Sequence, residues 1–258
     1  MGSVDSTPVA GFMVIAHRGA SSYAPENTIA AFDLAIRMGV GHLELDVHST
    51  LDERVVVIHD DTLDRTTTGS GPVASQSWAA LTTLDAGSWF GERFAAERIP
   101  ACADVLERYR GRAHLHIEIK GRSAHLVEQT ADLVRAGGMV EGVTITSFQK
   151  ARLEETRAYA PELPTGWLVG EASDAIVAEA RAGVATEAAM HRVVQAGADG
   201  MTVNFPDKLI AYLTSTPSPI RSGAANSPRS TAGSGRTSIS TAASSRRRSC
   251  SSAPPEAR

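Results

Sequence analysis

Short β-branched runs recur between Met13 and Val203, most of them followed by a stretch of helical period, and this alternation restricts the chain to an α/β fold with a parallel sheet. Strands are predicted over Met13–Ala16, His42–Val47, Val55–Ile58, Ala113–Ile119, Val143–Thr146, Thr165–Val169 and Gly200–Val203. After the first of them, Asn27 or Thr28 caps a helix whose Ile29, Phe32, Ala35 and Ile36 share one face, and Gly39 stands where a C-terminal cap belongs. Residues 78–94 follow neither period and are read as an irregular excursion on the rim, ahead of a helix at Ala103–Tyr109.

From Thr214 the composition changes. Residues 214–258 hold thirteen serines, seven arginines and a single acid, Glu256. With almost no large apolar side chains such a segment cannot balance its ordering entropy, so a disordered Ser/Arg-rich tail is expected after a domain at 12–213. That domain draws on a chain that is 42% apolar, enough for a sizeable core. Net charge is −4, and the one dense basic cluster is Arg246–Arg248 in the tail, so no nucleic-acid partner is expected. No run of 18 apolar residues indicates a membrane span. The first residues lack the basic-then-apolar pattern of an export signal, and a cytoplasmic location is the expectation. Cys102 and Cys250 show no paired spacing and carry no expected function.

The chemistry gathers at strand ends, where the loops of a barrel meet. The first strand ends in His17-Arg18. In His42-Leu-Glu44-Leu-Asp46-Val-His48, the apolar residues take one face and Glu44 and Asp46 the other. Two carboxylates on one inner face repel unless a cation lies between them, and hard oxygen ligands suit Mg²⁺ or Ca²⁺. The third strand ends in His59-Asp60. In His114-Leu-His116-Ile-Glu118-Ile-Lys120, Glu118 and Lys120 share the inner face, with His116 a layer deeper as packing and His48 outside the first rank. Carboxylates, imidazoles, a guanidinium and an ammonium together make a site for a phosphodiester: the cations hold the anion while histidines move protons.

These residues, with Pro25-Glu26-Asn27-Thr28, Leu63-x-Arg65-Thr66-Thr67, Ser147-Phe148 and Asp199-Gly200-x-x-x-Asn204-x-Pro206-Asp207, resemble the glycerophosphodiester phosphodiesterases. The resemblance implies a TIM-type barrel of eight strands in which Glu44, Asp46 and Glu118 hold one divalent cation, Mg²⁺ or Ca²⁺. His17 and His59 are then the acid and base, Arg18 and Lys120 hold phosphate oxygens, and Phe148 lines the glycerol pocket. The implied reaction hydrolyses a small glycerophosphodiester to glycerol 3-phosphate and an alcohol, with the neighbouring glycerol hydroxyl as a nucleophile. Seven strands fall short of eight, and the family pattern has no counterpart near residues 170–185, so about one βα unit is expected to be missing there. Two other readings stay open: an incomplete barrel that only binds a cation or phosphodiester, and a phospholipase D-type enzyme acting on lysophospholipid.

Overall fold

A computed structural model describes residues 13–168 and 200–215. Strands β1 (Met13–His17), β2 (His42–Ser49), β3 (Val55–Val57), β4 (His114–Ile119), β5 (Val143–Ser147), β6 (Thr165–Trp167) and β7 (Gly200–Val203) form one curled sheet, in the order β6-β5-β4-β2-β1-β7, with β3 attached to β2. All seven lie within two residues of the predicted bounds. The interval expected to lack a βα unit and residues 216–258 of the expected tail lie outside the described residues.

One expectation is corrected. Residues 55–58 were read as the third stave of the barrel, but β3 pairs antiparallel with β2, Val47 opposite Val57 and Ser49 opposite Val55. Only Thr50 to Arg54 separate the two strands, and a parallel return needs a crossover of about a dozen residues, so the short link can make nothing but a hairpin. Its turn is fixed by Thr50, whose hydroxyl donates to Asp52 at 2.6 Å and accepts from the Arg54 amide at 2.9 Å. The β1 edge of β2 is thus shared: residues 42–44 pair with β1, and residues 47–49, past the end of β1, pair with β3. Among the described residues the parallel staves number six, β3 not being one of them.

Alternation divides β2 and β4 into two faces. Leu43, Leu45, Val47, Leu115, Ile117 and Ile119 are buried in the main core together with Phe32, Val105, Leu106, Tyr109, Leu126 and Val134. These last come from helices α1 (Ile29–Arg37), α3 (Cys102–Tyr109) and α4 (Leu126–Ala136). Thr28, not Asn27, caps α1, its hydroxyl accepting from the Ala31 amide at 3.3 Å. Gly19 (φ +80°) lets the chain after β1 press onto α1, where a Cβ would come within 2.6 Å of the Ala31 backbone. The expected excursion holds the short helix α2 (Trp78–Leu81) and a single tight turn at Glu92–Phe94. It has a small core of its own, built from Val56, Ile58, Leu63, Val73, Leu81, Ala86 and Ile99. The Val57 amide donates to the Pro100 carbonyl at 2.9 Å and closes its base. Helices α5 (Lys150–Tyr159) and α6 (Pro206–Ser215) complete the described chain.

Candidate active site

The C-terminal ends of β1, β2, β4, β5 and β7 converge, and each brings a polar group that the alternation turns inward. Glu44, Asp46 and Glu118 are all buried, and one carboxylate oxygen from each lies within 4.8 Å of the others. Burial, then the Asp46 charge, raises the Glu44 carboxyl well above the usual range, and the same two causes raise Glu118 to about 7. Burial also works against the Asp46 charge, but Arg18, His59 and Lys120 together hold that carboxyl below its ordinary value. Asp46 Oδ1 is buried with no hydrogen-bond partner. Such an oxygen is costly among three gathered carboxylates unless something positive satisfies it, and a small hard cation does so. The donor set therefore fits a divalent ion held by Glu44, Asp46 and Glu118.

Arg18 and Lys120 flank this group. Arg18 sits in the left-handed region (φ 55°), a strain tolerated because its amide donates to Glu44 Oε2 at 2.9 Å and its guanidinium to Glu26 Oε1 at 2.9 Å. Its Nε lies 3.2 Å from Asp46 Oδ2 without hydrogen-bond alignment, leaving a buried donor over for a ligand oxygen. Lys120 Nζ is 3.1 Å from Glu118 Oε1 and 3.8 Å from Asp46 Oδ1.

The two histidines enter from different supports. His17 ends β1, buried, with Nδ1 2.7 Å from Asn204 Oδ1 and Nε2 3.9 Å from Glu44. Burial, and then Arg18, pushes its pKa down to about 4, so the ring is neutral. With Nδ1 as donor to the amide oxygen, the lone pair stands on Nε2. His59 comes from the end of the β2–β3 hairpin, and its Nδ1 meets Asp60 Oδ1 at 2.6 Å, which also leaves Nε2 outward. Burial lowers its pKa too, against the pull of Asp46. His48 supports it, donating from Nε2 to the His59 carbonyl at 3.1 Å. His59, Glu118, Lys120 and Phe148 line one open cleft of about 470 Å³, with the Phe148 ring 5.8 Å from Lys120 Nζ and 42% exposed.

All eight residues singled out from the sequence therefore gather around this mouth. The sequence did not assign roles to several others. Asn27 (φ 58°) donates to Asp46 Oδ2 at 2.8 Å and accepts from the Asp46 amide at 3.3 Å. Arg65 bridges Asp60 (2.5 and 3.0 Å) and Glu26 (2.7 and 3.0 Å), so ion pairs run from His59 through Asp60, Arg65, Glu26 and Arg18 to Asp46. Asn204, after β7, orients His17. Two signals pointed to them: Asn27, Arg65 and Asn204 all stand in the motifs that carry the resemblance, and Asn27 and Thr28 both suit a cap where a helix uses one.

Residues 17–182 match the family described as glycerophosphoryl diester phosphodiesterase. A relative named YhdW in Bacillus subtilis (strain 168) is 47% identical over 154 residues, which cover 59% of this chain and 63% of that one. A glycerophosphodiester phosphodiesterase of Caldanaerobacter subterraneus is 42% identical over 160 residues, 60% of this chain and 66% of that one. The chain thus spans just under two thirds of these two relatives. A second Bacillus subtilis glycerophosphodiester phosphodiesterase is 31% identical over 246 residues, covering 76% of this chain and 84% of the relative. Since 76% of 258 residues is about 196, about 50 aligned positions of that relative have no counterpart here. Among solved structures, the Oleispira antarctica phosphodiesterase in complex with the product sn-glycerol-3-phosphate superposes with a TM-score of 0.69 at 27% identity, over 79% of this chain and 97% of that one. A glycerophosphodiester phosphodiesterase from Agrobacterium tumefaciens gives 0.64 at 29%, over 78% and 99%. No helix among the described residues is long and apolar enough to cross a membrane.

Proposed function

Because the chain belongs to the glycerophosphoryl diester phosphodiesterase family, we propose that it hydrolyses a small glycerophosphodiester to glycerol 3-phosphate and an alcohol. The observation that carries this reading is the unpartnered, buried Asp46 Oδ1 among three carboxylates, flanked by Arg18, Lys120 and two histidines with free Nε2 atoms. Glu44, Asp46 and Glu118 would hold one divalent cation, Mg²⁺ or Ca²⁺, which when bound supplies positive charge to the phosphoryl oxygens. Arg18 Nε and Lys120 Nζ bind and orient the same diester. Phe148 offers an apolar wall at the cleft for the glycerol carbons.

The hydrogen bonds support different duties for the two histidines. His17 is backed by a neutral amide, which favours a neutral ring, so its Nε2 accepts the proton of the attacking hydroxyl. His59 is backed by the Asp60 carboxylate, which favours a proton on the ring, so its Nε2 holds the proton that the leaving alcohol takes. Water then opens the cyclic phosphate so formed, His59 taking the water's proton and His17 returning its own to the glycerol oxygen, which gives glycerol 3-phosphate. The complex of the Oleispira relative with glycerol 3-phosphate supports the product side of this reading.

The test is release of glycerol 3-phosphate from glycerophosphocholine by the purified chain with Mg²⁺ or Ca²⁺, then with chelator, beside Glu44→Ala. Metal-dependent release that Glu44→Ala abolishes is expected. A second reading is favoured by the about 50 aligned positions of the second Bacillus subtilis relative without counterpart here: an incomplete barrel that binds cation and diester without turnover. Metal binding with no release of product would select it.

A further inference from the structure

Three buried polar side-chain atoms among the described residues have no hydrogen-bond partner: Arg18 Nε, Asp46 Oδ1 and Thr146 Oγ1. In the proposed reaction the first holds a phosphate oxygen and the second the cation, and the third has no task. A buried hydroxyl without a bond is costly, and the isosteric valine would avoid that cost. What the position lacks is an oxygen that the protein itself does not supply.

Alternation fixes where the hydroxyl points. On β5, Val143 and Ile145 are buried in the main core, while Thr144 Oγ1 lies 2.9 Å from His114 Nε2 on the inner face. Thr146 stands two residues further along that face. Ser147 beside it is satisfied, its hydroxyl donating to the Ile119 carbonyl at 3.0 Å. The register sets Asp46 beside Glu118, Glu118 beside Thr146, and Thr146 beside Gly166 of β6. Two of the three gathered carboxylates and this hydroxyl therefore form one layer of the mouth, and glycine leaves the β6 end of that layer without a side chain. Thr146 is 5% exposed, as are Glu44 and His17, so it meets the mouth as narrowly as groups already assigned to ligands. Phe148, two residues on and one layer up, faces the cleft.

The identity of the missing oxygen rests on the phosphodiesterase reading, in which Phe148 walls the glycerol carbons. Thr146 lies beneath that wall on the same strand face, so the group it meets belongs to the glycerol. Of the two free glycerol hydroxyls, the one next to the phosphate gives its proton to His17 on β1, three strands from β5 in the sheet order. The hydroxyl at the far end of the glycerol chain is left for β5. We propose that Thr146 Oγ1 hydrogen-bonds this distal hydroxyl and so selects glycerol phosphodiesters over those of a propanediol that lacks it. A threonine hydroxyl can donate to or accept from an alcohol oxygen. A site built to bond a hydroxyl rejects the analogue without it more strongly than an apolar pocket rejects a change of shape. Thr146 is then a specificity-determining residue, kept at a cost to the stability of the free protein.

The experiment is calorimetric titration, with Mg²⁺ and again with Ca²⁺, of glycerol 3-phosphate and of propane-1,2-diol 1-phosphate into wild type, Thr146→Val and Thr146→Ser. Wild type and Thr146→Ser should bind glycerol 3-phosphate about tenfold more tightly than the analogue, and Thr146→Val should bind the two about equally. The Tm of free Thr146→Val should equal or exceed that of wild type, because the substitution removes an unsatisfied hydroxyl. No preference in wild type, a preference that survives in Thr146→Val, or a Tm of Thr146→Val below that of wild type overturns the proposal. Titration with cation alone is the remaining arm: weaker binding of both ions by Thr146→Val would give the hydroxyl to cation-bound water and overturn it as well. Turnover is not read, so a chain that distinguishes the two phosphates but releases no product fails the hydrolysis reading alone.

Discussion

Asn27 is the residue through which backbone geometry and the three gathered carboxylates meet, and two substitutions separate its duties. Its amide donates to buried Asp46 Oδ2 at 2.8 Å, and its backbone sits at φ 58°. Loss of a hydrogen bond to a buried charge costs about 1.5–3 kcal/mol. Asparagine tolerates the left-handed region, whereas alanine there costs about 1 kcal/mol more and glycine nothing. Asn27→Ala should therefore lose about 2.5–4 kcal/mol of stability and Asn27→Gly about 1.5–3 kcal/mol, a gap of about 1 kcal/mol in favour of the larger change in side chain. Urea denaturation of the three proteins without added metal measures both quantities. Alanine equal to or better than glycine refutes the backbone argument. Both variants within about 0.5 kcal/mol of wild type refute the hydrogen-bond argument.

Arg65→Gln should separate rate from stability. The side chain is 44% exposed, so the stability loss stays near or below about 1 kcal/mol, whereas release of Asp60 and Glu26 should lower kcat about ten- to a hundredfold with little change in KM. Steady-state kinetics beside urea melts check this, and a KM effect alone would sink it. Asp33 gives a pH signature remote from the site. Its carboxyl is held below the ordinary range by the hydrogen bond from Arg108, assisted by Tyr109. A depressed folded-state pKa gives stability that is present above the unfolded value of about 3.9 and lost as pH falls through the lower folded value. The Tm difference between wild type and Asp33→Asn should therefore be constant above about pH 5 and shrink below about pH 4. A difference unchanged down to pH 2 would count against the pairing.

Legibility in the sequence followed range. The period-2 alternation of residues 42–48 and 114–120 placed Glu44, Asp46, Glu118 and Lys120 on the inner face with no knowledge of the fold, because side-chain direction in a strand is local. The direction of β3 is equally local, written in the five residues Thr50–Arg54, which are too few for a parallel crossover although the run Val55–Ile58 itself carries no sign of direction. Other partnerships were beyond any local signal. Arg65 reaches Glu26 across 39 residues, and Asn204 reaches His17 across 187. Such pairs exist only once the sheet has curled, and neither residue type nor spacing announces them.

The excursion between Ile58 and Pro100 has its own small core and is joined to the β2–β3 hairpin by two backbone hydrogen bonds, Val57 to Pro100 and Leu51 to Gln76, with the Val56–Ala101 bridge beside the first. A unit so attached can open on its own, at a free energy below that of the whole chain. Opening would loosen the setting of His59, Asp60 and Arg65 together, while Glu44, Asp46 and Glu118 stay on strands of the main sheet. Heat or denaturant would then take the site apart in sequence: His59 with its Asp60–Arg65 support is lost first, and the carboxylate group outlives it together with His17 on β1.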